Sequence, residues 1–209
     1  SNNVFFIYLF YESSLIPILF IIVKWGSYPE RSVRAIILLV YTAFFTFPFL
    51  VFIFYLFSYS FSLHIPITSF SFFSLPSFFS IIIFIAFAVK LPIYGLHYWL
   101  PIAHVEAPTF GSMILAGVLL KLGGLGLIRL SNFVSLDFIV FSIRSYLLLF
   151  LFITTLVCCF QSDFKRLIAY SSVSHMIAVP FMFIARRSFS LKSMTLIMFF
   201  HGLSSPVLF

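Results

Sequence analysis

Ser77-Phe78-Phe79-Ser80-Ile81-Ile82-Ile83-Phe84-Ile85-Ala86-Phe87-Ala88-Val89-Lys90-Leu91-Pro92 is the stretch that decides the fold. The apolar run predicts a membrane helix over about Ser77–Tyr94, with a lysine near its end and a proline two residues later. An ionisable group in hydrocarbon costs about 2.5–3.5 kcal/mol on insertion scales, so its default reading is functional. Proline removes one helical hydrogen bond and clashes with the carbonyl four residues back, here that of Ala88. The helix is therefore expected to break beside Lys90. Non-helical backbone at membrane depth persists only where it is buried in protein or lines water. Lysine and break thus point to one hydrated cavity.

Two further groups repeat the anomaly. Lys121 follows Met113-Ile114-Leu115-Ala116-Gly117-Val118-Leu119-Leu120, and Glu12 lies within the first apolar stretch. Arginine stays protonated in proteins, whereas a buried lysine can change its protonation. Deep groups of Glu and Lys type, with no deep arginine, favour proton handling. Glu12 and Lys90 are expected to pair across two helices, either as a static ion pair or as a proton-sensitive one. Pro17 is expected to kink the first helix at Ser13, giving Glu12 room for water.

Composition sets the class. Of 209 residues 63% are hydrophobic and 8% charged, against about 25% charged in soluble domains. The reading is an all-α integral membrane protein. The net charge of +7 comes from cations at the ends of apolar segments, where they anchor helices, so nucleic acid is not an expected partner. Adjacent Cys158 and Cys159 fit neither a zinc site nor a disulfide framework. His104-Val105-Glu106 matches the H-x-E of zinc deaminases but lacks their P-C-x-x-C partner.

At about 20 residues per span, seven transmembrane helices are expected. They run over about Val4–Val23, Val33–Phe57, Ser77–Tyr94, Thr109–Arg129, Ser145–Phe160, Phe164–Ala185, and from Ser190 onward. Ser58–Pro76 reads as an interfacial loop with a short extended piece. His97–Pro108 reads as a loop with aromatic anchors, and Ser131–Arg144 as a polar linker containing Asp137. Asp163 is placed to cap the sixth helix. His175 and His201 fall roughly 16–18 Å into their helices, as either hydrogen-bonded packing or bridges in a water chain. Ser171, Ser172, Ser174, Ser204 and Ser205 lie near them, as water holders or interface packing. Gly117, Gly123, Gly124 and Gly126 are read as sites of close helix approach. Loop cations divide five against five, so charge does not orient the chain. The apolar segments at both ends suggest a piece of a longer chain.

Three blocks carry a family resemblance. They are Ala88-Val89-Lys90-Leu91-Pro92 with its continuation to Ala107-Pro108, Leu119-Leu120-Lys121-Leu122-Gly123-Gly124-Leu125-Gly126, and Ser162-Asp163-Phe164-Lys165-Arg166 through His175-Met176. With Tyr11-Glu12-Ser13 and His201-Gly202-Leu203-Ser204-Ser205, they resemble the antiporter-like membrane subunits of NADH dehydrogenase, mitochondrial respiratory complex I. The match is nearer to its subunit 4 than to sister subunits 2 and 5. The resemblance implies a fourteen-helix fold with two inverted repeats, each with a broken helix, here at Lys90-Leu91-Pro92. Residues 1–130 would form most of the first repeat and 131–209 the start of the second.

It also implies that Glu12, Lys90, Lys121, His175 and His201 transfer protons, coupled to electron transfer from NADH to ubiquinone. No cofactor is expected on this chain: NAD, FMN, iron–sulfur clusters and ubiquinone would belong to partner subunits. The partners would be other membrane-arm subunits, subunits 2 and 5 among them, in the mitochondrial inner membrane. A stand-alone cation/proton antiporter and a non-pumping structural piece are the alternatives.

Overall fold

A computed structural model describes residues 3–26, 29–60, 63–65, 77–93, 95–134, 140–185 and 188–209. Among these residues the chain is helical, and the single β-bridge joins Asn3 to His64. The helices are α1 (Val4–Ser13), α2 (Leu15–Trp25), α3 (Arg31–Ser60), α4 (Ser77–Ala88), α5 (Trp99–Glu106) and α6 (Thr109–Ile114). After a π-helical turn at Leu115–Leu119 come α7 (Leu120–Arg129), α8 (Val140–Cys159), α9 (Phe164–Met176), α10 (Ala178–Ala185) and α11 (Ser188–Leu208). Among the described residues five spans are long and apolar enough to cross a membrane: Val4–Trp25, Arg31–Ser58, Thr109–Arg129, Val140–Cys159 and Phe164–Ala185. The other two expected segments are also helices. One, α4, has 12 residues because it stops at the break; the other, α11, has 21.

Proline and local geometry account for the interruptions. The first span is divided at Ser14, one residue from the kink expected of Pro17. The third ends at Ala88, and Val89–Pro92 form turns. The unwound carbonyls find partners: Trp99 Nε1 donates to the Val89 carbonyl at 2.9 Å, and Gly95 takes a positive φ of 78° that suits glycine in the following turn. Trp99→Phe would leave the Val89 carbonyl buried and unpaired, a cost of about 1–3 kcal/mol. The expected result is a lower midpoint for thermal loss of assembled protein on native gels.

Four expectations need correction. His97–Pro108 is not simply a loop: Trp99–Glu106 is a helix with Trp99, Leu100, Ala103, His104 and Glu106 buried. Pro101 is tolerated there because it lies in the first turn, where the backbone N–H has no helical partner. The polar linker is shorter than expected, since α8 begins at Val140 and already contains Arg144; Asp137 lies outside the described residues. Asp163 occupies the N-cap position of α9 but makes no side-chain cap bond. Its carboxylate pairs instead with Arg166 Nε at 3.2 Å. The extended piece in Ser58–Pro76 is limited, within the described residues, to the contact of Leu63 and His64 with Asn3 and Val4.

Burial places the Lys121 span at the centre. Of its most apolar window 61% is buried, against 17% for Val140–Cys159 and 22% for Val4–Trp25. The peripheral helices present Phe44, Phe54, Phe141 and Phe152 outward, as lipid-facing or partner-facing helices do. Glycine permits the central packing. A Cβ on Gly126 would run into the Phe87 ring, one on Gly123 into the Phe87 carbonyl, and one on Gly124 into Met198 and Val179. The close-approach reading of these glycines therefore holds.

Candidate functional site

Four of the five sequence-selected ionisable residues sit beside helix discontinuities, and His201 lies in a continuous helix. Glu12 precedes the division at Ser14, and Lys90 lies in the turn after Ala88. Lys121 follows the π turn at Leu115–Leu119 by two residues. His175 precedes the interruption at Ile177, three residues before Pro180, and His201 precedes Pro206 within α11. π-helical turns and proline breaks release backbone carbonyls from the helical ladder. Those carbonyls are ready acceptors for a buried ammonium.

Lys90 is fully buried. Its Nζ donates to the Tyr11 carbonyl and to Ser14 Oγ at 3.3 Å. It also lies 3.4 Å from the centroid of the Tyr11 ring, an attractive cation–π placement. The Tyr11 hydroxyl in turn donates to the Ala86 carbonyl at 2.9 Å, tying α1 to α4. The expected Glu12–Lys90 ion pair is not formed: among the described residues no contact within 4 Å joins them. Glu12 Oε1 is buried without a hydrogen-bond partner, yet the carboxylate remains within electrostatic reach of Lys90. The backbone of α1 intervenes, because the division at Ser14 offers Lys90 the Tyr11 carbonyl and a hydroxyl.

Lys121 makes the decisive contact. Its Nζ donates to the Ala116 carbonyl, inside the π turn, and lies 3.0 Å from Nδ1 of His201. This bond joins residues 80 positions apart. Gly202 makes room for it: a Cβ there would lie 3.3 Å from Lys121 Cε. A cavity of about 360 Å³ opens beside Lys121, Gly117, Met198 and Gly202. A second, of about 950 Å³, is lined by His175, His201, Ser204 and Leu208. Both open outward, past exposed Phe199, Phe200, Leu203 and Val207, so the Lys121–His201 bond lies between two open grooves. The His175 and His201 rings are 6.2 Å apart between centroids, too far for a direct bond and near enough for one bridging water.

The serine hydroxyls donate to the local backbone and keep their lone pairs for other donors. Ser171, Ser172 and Ser174 donate to carbonyls three residues back at 2.7–2.8 Å, and Ser205 donates to the His201 carbonyl at 2.7 Å. Short hydroxyl side chains find the local backbone first.

Lys90 and Lys121 approach through their neighbours. Leu91 packs where a Cβ on Gly123 would sit, one residue from the first lysine and two from the second. At the other end of α5, Arg34 Nη1 pairs with buried Glu106 at 2.5 Å. Lys165 Nζ donates to the Ala107 carbonyl at 3.3 Å. Both cations thus meet the C-terminal end of α5, where the helix dipole favours positive charge. Sequence reading missed this clamp, and it missed His104, which is fully buried beside it. The available signal was a histidine flanked by Ile102, Ala103 and Val105.

A sequence profile described as "NADH:quinone oxidoreductase/Mrp antiporter, TM" matches residues 1–209. The chain belongs to this family. Its relatives include proteins named NADH-ubiquinone oxidoreductase chain 4 from Arbacia lixula (39% identical) and Ceratitis capitata (43% identical). Each alignment covers 100% of this chain, and 48% and 47% of the respective relative. The chain therefore spans about half the length of the curated relatives it matches. Two solved structures share the fold. A chain of an archaeal membrane-bound sulfane sulfur reductase superposes with a TM-score of 0.87 at 19% identity, over 99% of this chain and 36% of that one. A chain of respiratory complex I from Thermus thermophilus gives 0.77 at 20% identity, over 97% and 47%. Family membership and helix content make this a multi-pass membrane protein of the antiporter-like class.

Proposed function

We propose that this chain forms the central portion of a proton-translocating subunit of NADH:ubiquinone oxidoreductase, coupling electron transfer from NADH to ubiquinone to proton pumping. The observation that carries the reading is the Lys121–His201 bond at 3.0 Å, which ties the mostly buried Lys121 span to α11 between two open grooves. Glu12, Lys90, Lys121, His175 and His201 are assigned to proton transfer. Residues 1–130 belong to the first repeat and 131–209 to the second. The chain carries no redox centre in this reading; NAD, FMN, iron–sulfur clusters and ubiquinone reside in partner subunits. Other membrane-arm subunits, sister subunits 2 and 5 included, are its partners in the mitochondrial inner membrane.

The mechanism follows from electrostatics. Two unit charges about 4 Å apart interact by about 4 kcal/mol at an effective dielectric near 20. Moving Glu12 toward or away from Lys90 changes how firmly that lysine holds its proton. The present geometry, with Lys90 on the Tyr11 carbonyl rather than on the carboxylate, leaves that movement available. A proton released at Lys90 reaches the Lys121–His201 pair over water running beside the Leu91–Gly123 contact, then moves toward His175.

Lys90→Met in the assembled complex tests this. The variant removes the titrating amine, so protons pumped per NADH oxidised are expected to fall clearly below the unaltered value. Unchanged pumping in a normally assembled complex would leave a structural role standing. The family description also includes Mrp antiporters, and purification separates that reading. Recovery with flavin- and cluster-bearing subunits supports the oxidoreductase, whereas recovery without them supports a stand-alone antiporter.

A further inference from the structure

We infer that His104 relays protons between the membrane surface at Lys165 and the Lys121–His201 pair, with water as the carrier on each side of the ring. The inference rests on the proton-translocating reading above and adds a residue and an access route to it.

Burial and the lack of protein partners come first. His104 is 0% exposed, and neither Nδ1 nor Nε2 has a hydrogen-bond partner within the protein. Buried polar atoms are nearly always paired, and an unpaired one needs an explanation. Its ring is held in place by stacking on Phe209, with centroids 4.7 Å apart and planes 5° from parallel. Phenylalanine or leucine would serve that packing without two stranded nitrogens. A packed imidazole with both nitrogens unclaimed by protein can be satisfied by water on both edges. That places one proton acceptor and one donor on opposite sides of a single ring.

Location supplies the direction. The ionisable groups within electrostatic reach of His104 are Lys121 on α7, His201 on α11 and Lys165 on α9. On its own helix the nearest is Glu106, neutralised by Arg34 of α3. Lys165 Nζ bonds the Ala107 carbonyl, three residues beyond His104. The Lys165 amine therefore sits at the C-terminal end of α5, at the residue that follows the helix. Lys165 follows the polar turn Gln161-Ser162-Asp163, and Asp163 and its partner Arg166 of α9 are exposed. The polar groups therefore run from that turn, past Lys165 and His104, to Lys121 and His201.

The proton balance is simple. A hydronium on the Lys165 side protonates the bare ring nitrogen. The proton on the other nitrogen leaves to water facing His201. One charge has crossed the ring and the tautomer has changed. A half-turn of the ring about Cβ–Cγ restores the starting state, and no oxidant or reductant is needed.

The test uses His104→Gln, His104→Leu and Lys121→Met in the assembled complex, measuring protons pumped per NADH oxidised. Glutamine keeps hydrogen-bonding capacity and leucine keeps apolar bulk, but neither can relay a proton. Both His104 variants are expected to lose at least half of the pumping attributed to this subunit by Lys121→Met. Rescue by glutamine would show a hydrogen-bonding role and rescue by leucine a packing role; either overturns the relay. If Lys121→Met also pumps normally, the proton-translocating reading itself falls, which separates the two failures. Should the His104 variants not assemble, a high-resolution map of the unaltered complex decides. Ordered water within hydrogen-bond distance of both ring nitrogens supports the relay, and a dry ring overturns it.

Discussion

Lys121→Arg in the assembled complex is expected to stop proton transfer as fully as Lys121→Met. Arginine keeps the positive charge and can still donate toward the Ala116 carbonyl and His201, the two partners of Lys121 Nζ. If Lys121 served only as a fixed charge bracing α7 against α11, arginine would be a fair substitute. A proton carrier must release its proton, and arginine does not do so in proteins. Loss of a positioned proton donor or acceptor typically costs about 10²–10⁴-fold in the transfer step. Pumping per NADH should therefore collapse in both variants while the complex still assembles. Wild-type pumping in Lys121→Arg would show that this position carries charge and not protons.

Gly126→Leu is expected to abolish accumulation of the folded protein. A side chain at 126 would run into the Phe87 ring, which is fully buried and packs edge-on to Tyr11 at 4.9 Å between centroids. Overpacking a filled core costs about 1–3 kcal/mol or more. In lipid the helices gain little from burial as such and depend on close contact. Pushing α7 from α4 would also part the Leu91–Gly123 contact that brings the two lysine regions together. Gly117→Ala is the control, since its Cβ would meet Pro206 Cγ at an ordinary 3.5 Å. Native gels should show assembled protein for Gly117→Ala and almost none for Gly126→Leu. Equal assembly of the two would mean that the α4–α7 contact is not tight.

The break at Lys90-Leu91-Pro92 was legible in the sequence because a proline ring's clash with the preceding turn is steric and local. The division at Ser14 was legible for the same reason, one residue from the position expected of Pro17. The half-helix Trp99–Glu106 was not. Its prolines punctuate a loop and a helix start equally well, and its helical state shows in what it buries, Trp99, His104 and Glu106. The π turn at Leu115–Leu119 left no trace in an unbroken apolar run. The Glu12–Lys90 pair was plausible from charge alone, yet the carbonyl exposed at the α1 division captured the ammonium.

The amino-acid order alone determined that this chain lives in a bilayer, where its helices give way, and which few side chains there can hold or lose a charge. Those follow from transfer free energies and backbone sterics, properties of each short stretch taken by itself. Only the tertiary structure decided which of these groups meet: Lys121 with His201, Lys90 with the Tyr11 carbonyl, Arg34 with Glu106, and His104 enclosed among them. In an apolar solvent no burial energy sorts one helix pairing from another. The choice falls to close packing at glycines and to the carbonyls that irregular turns leave unpaired, and both exist only once the helices are side by side.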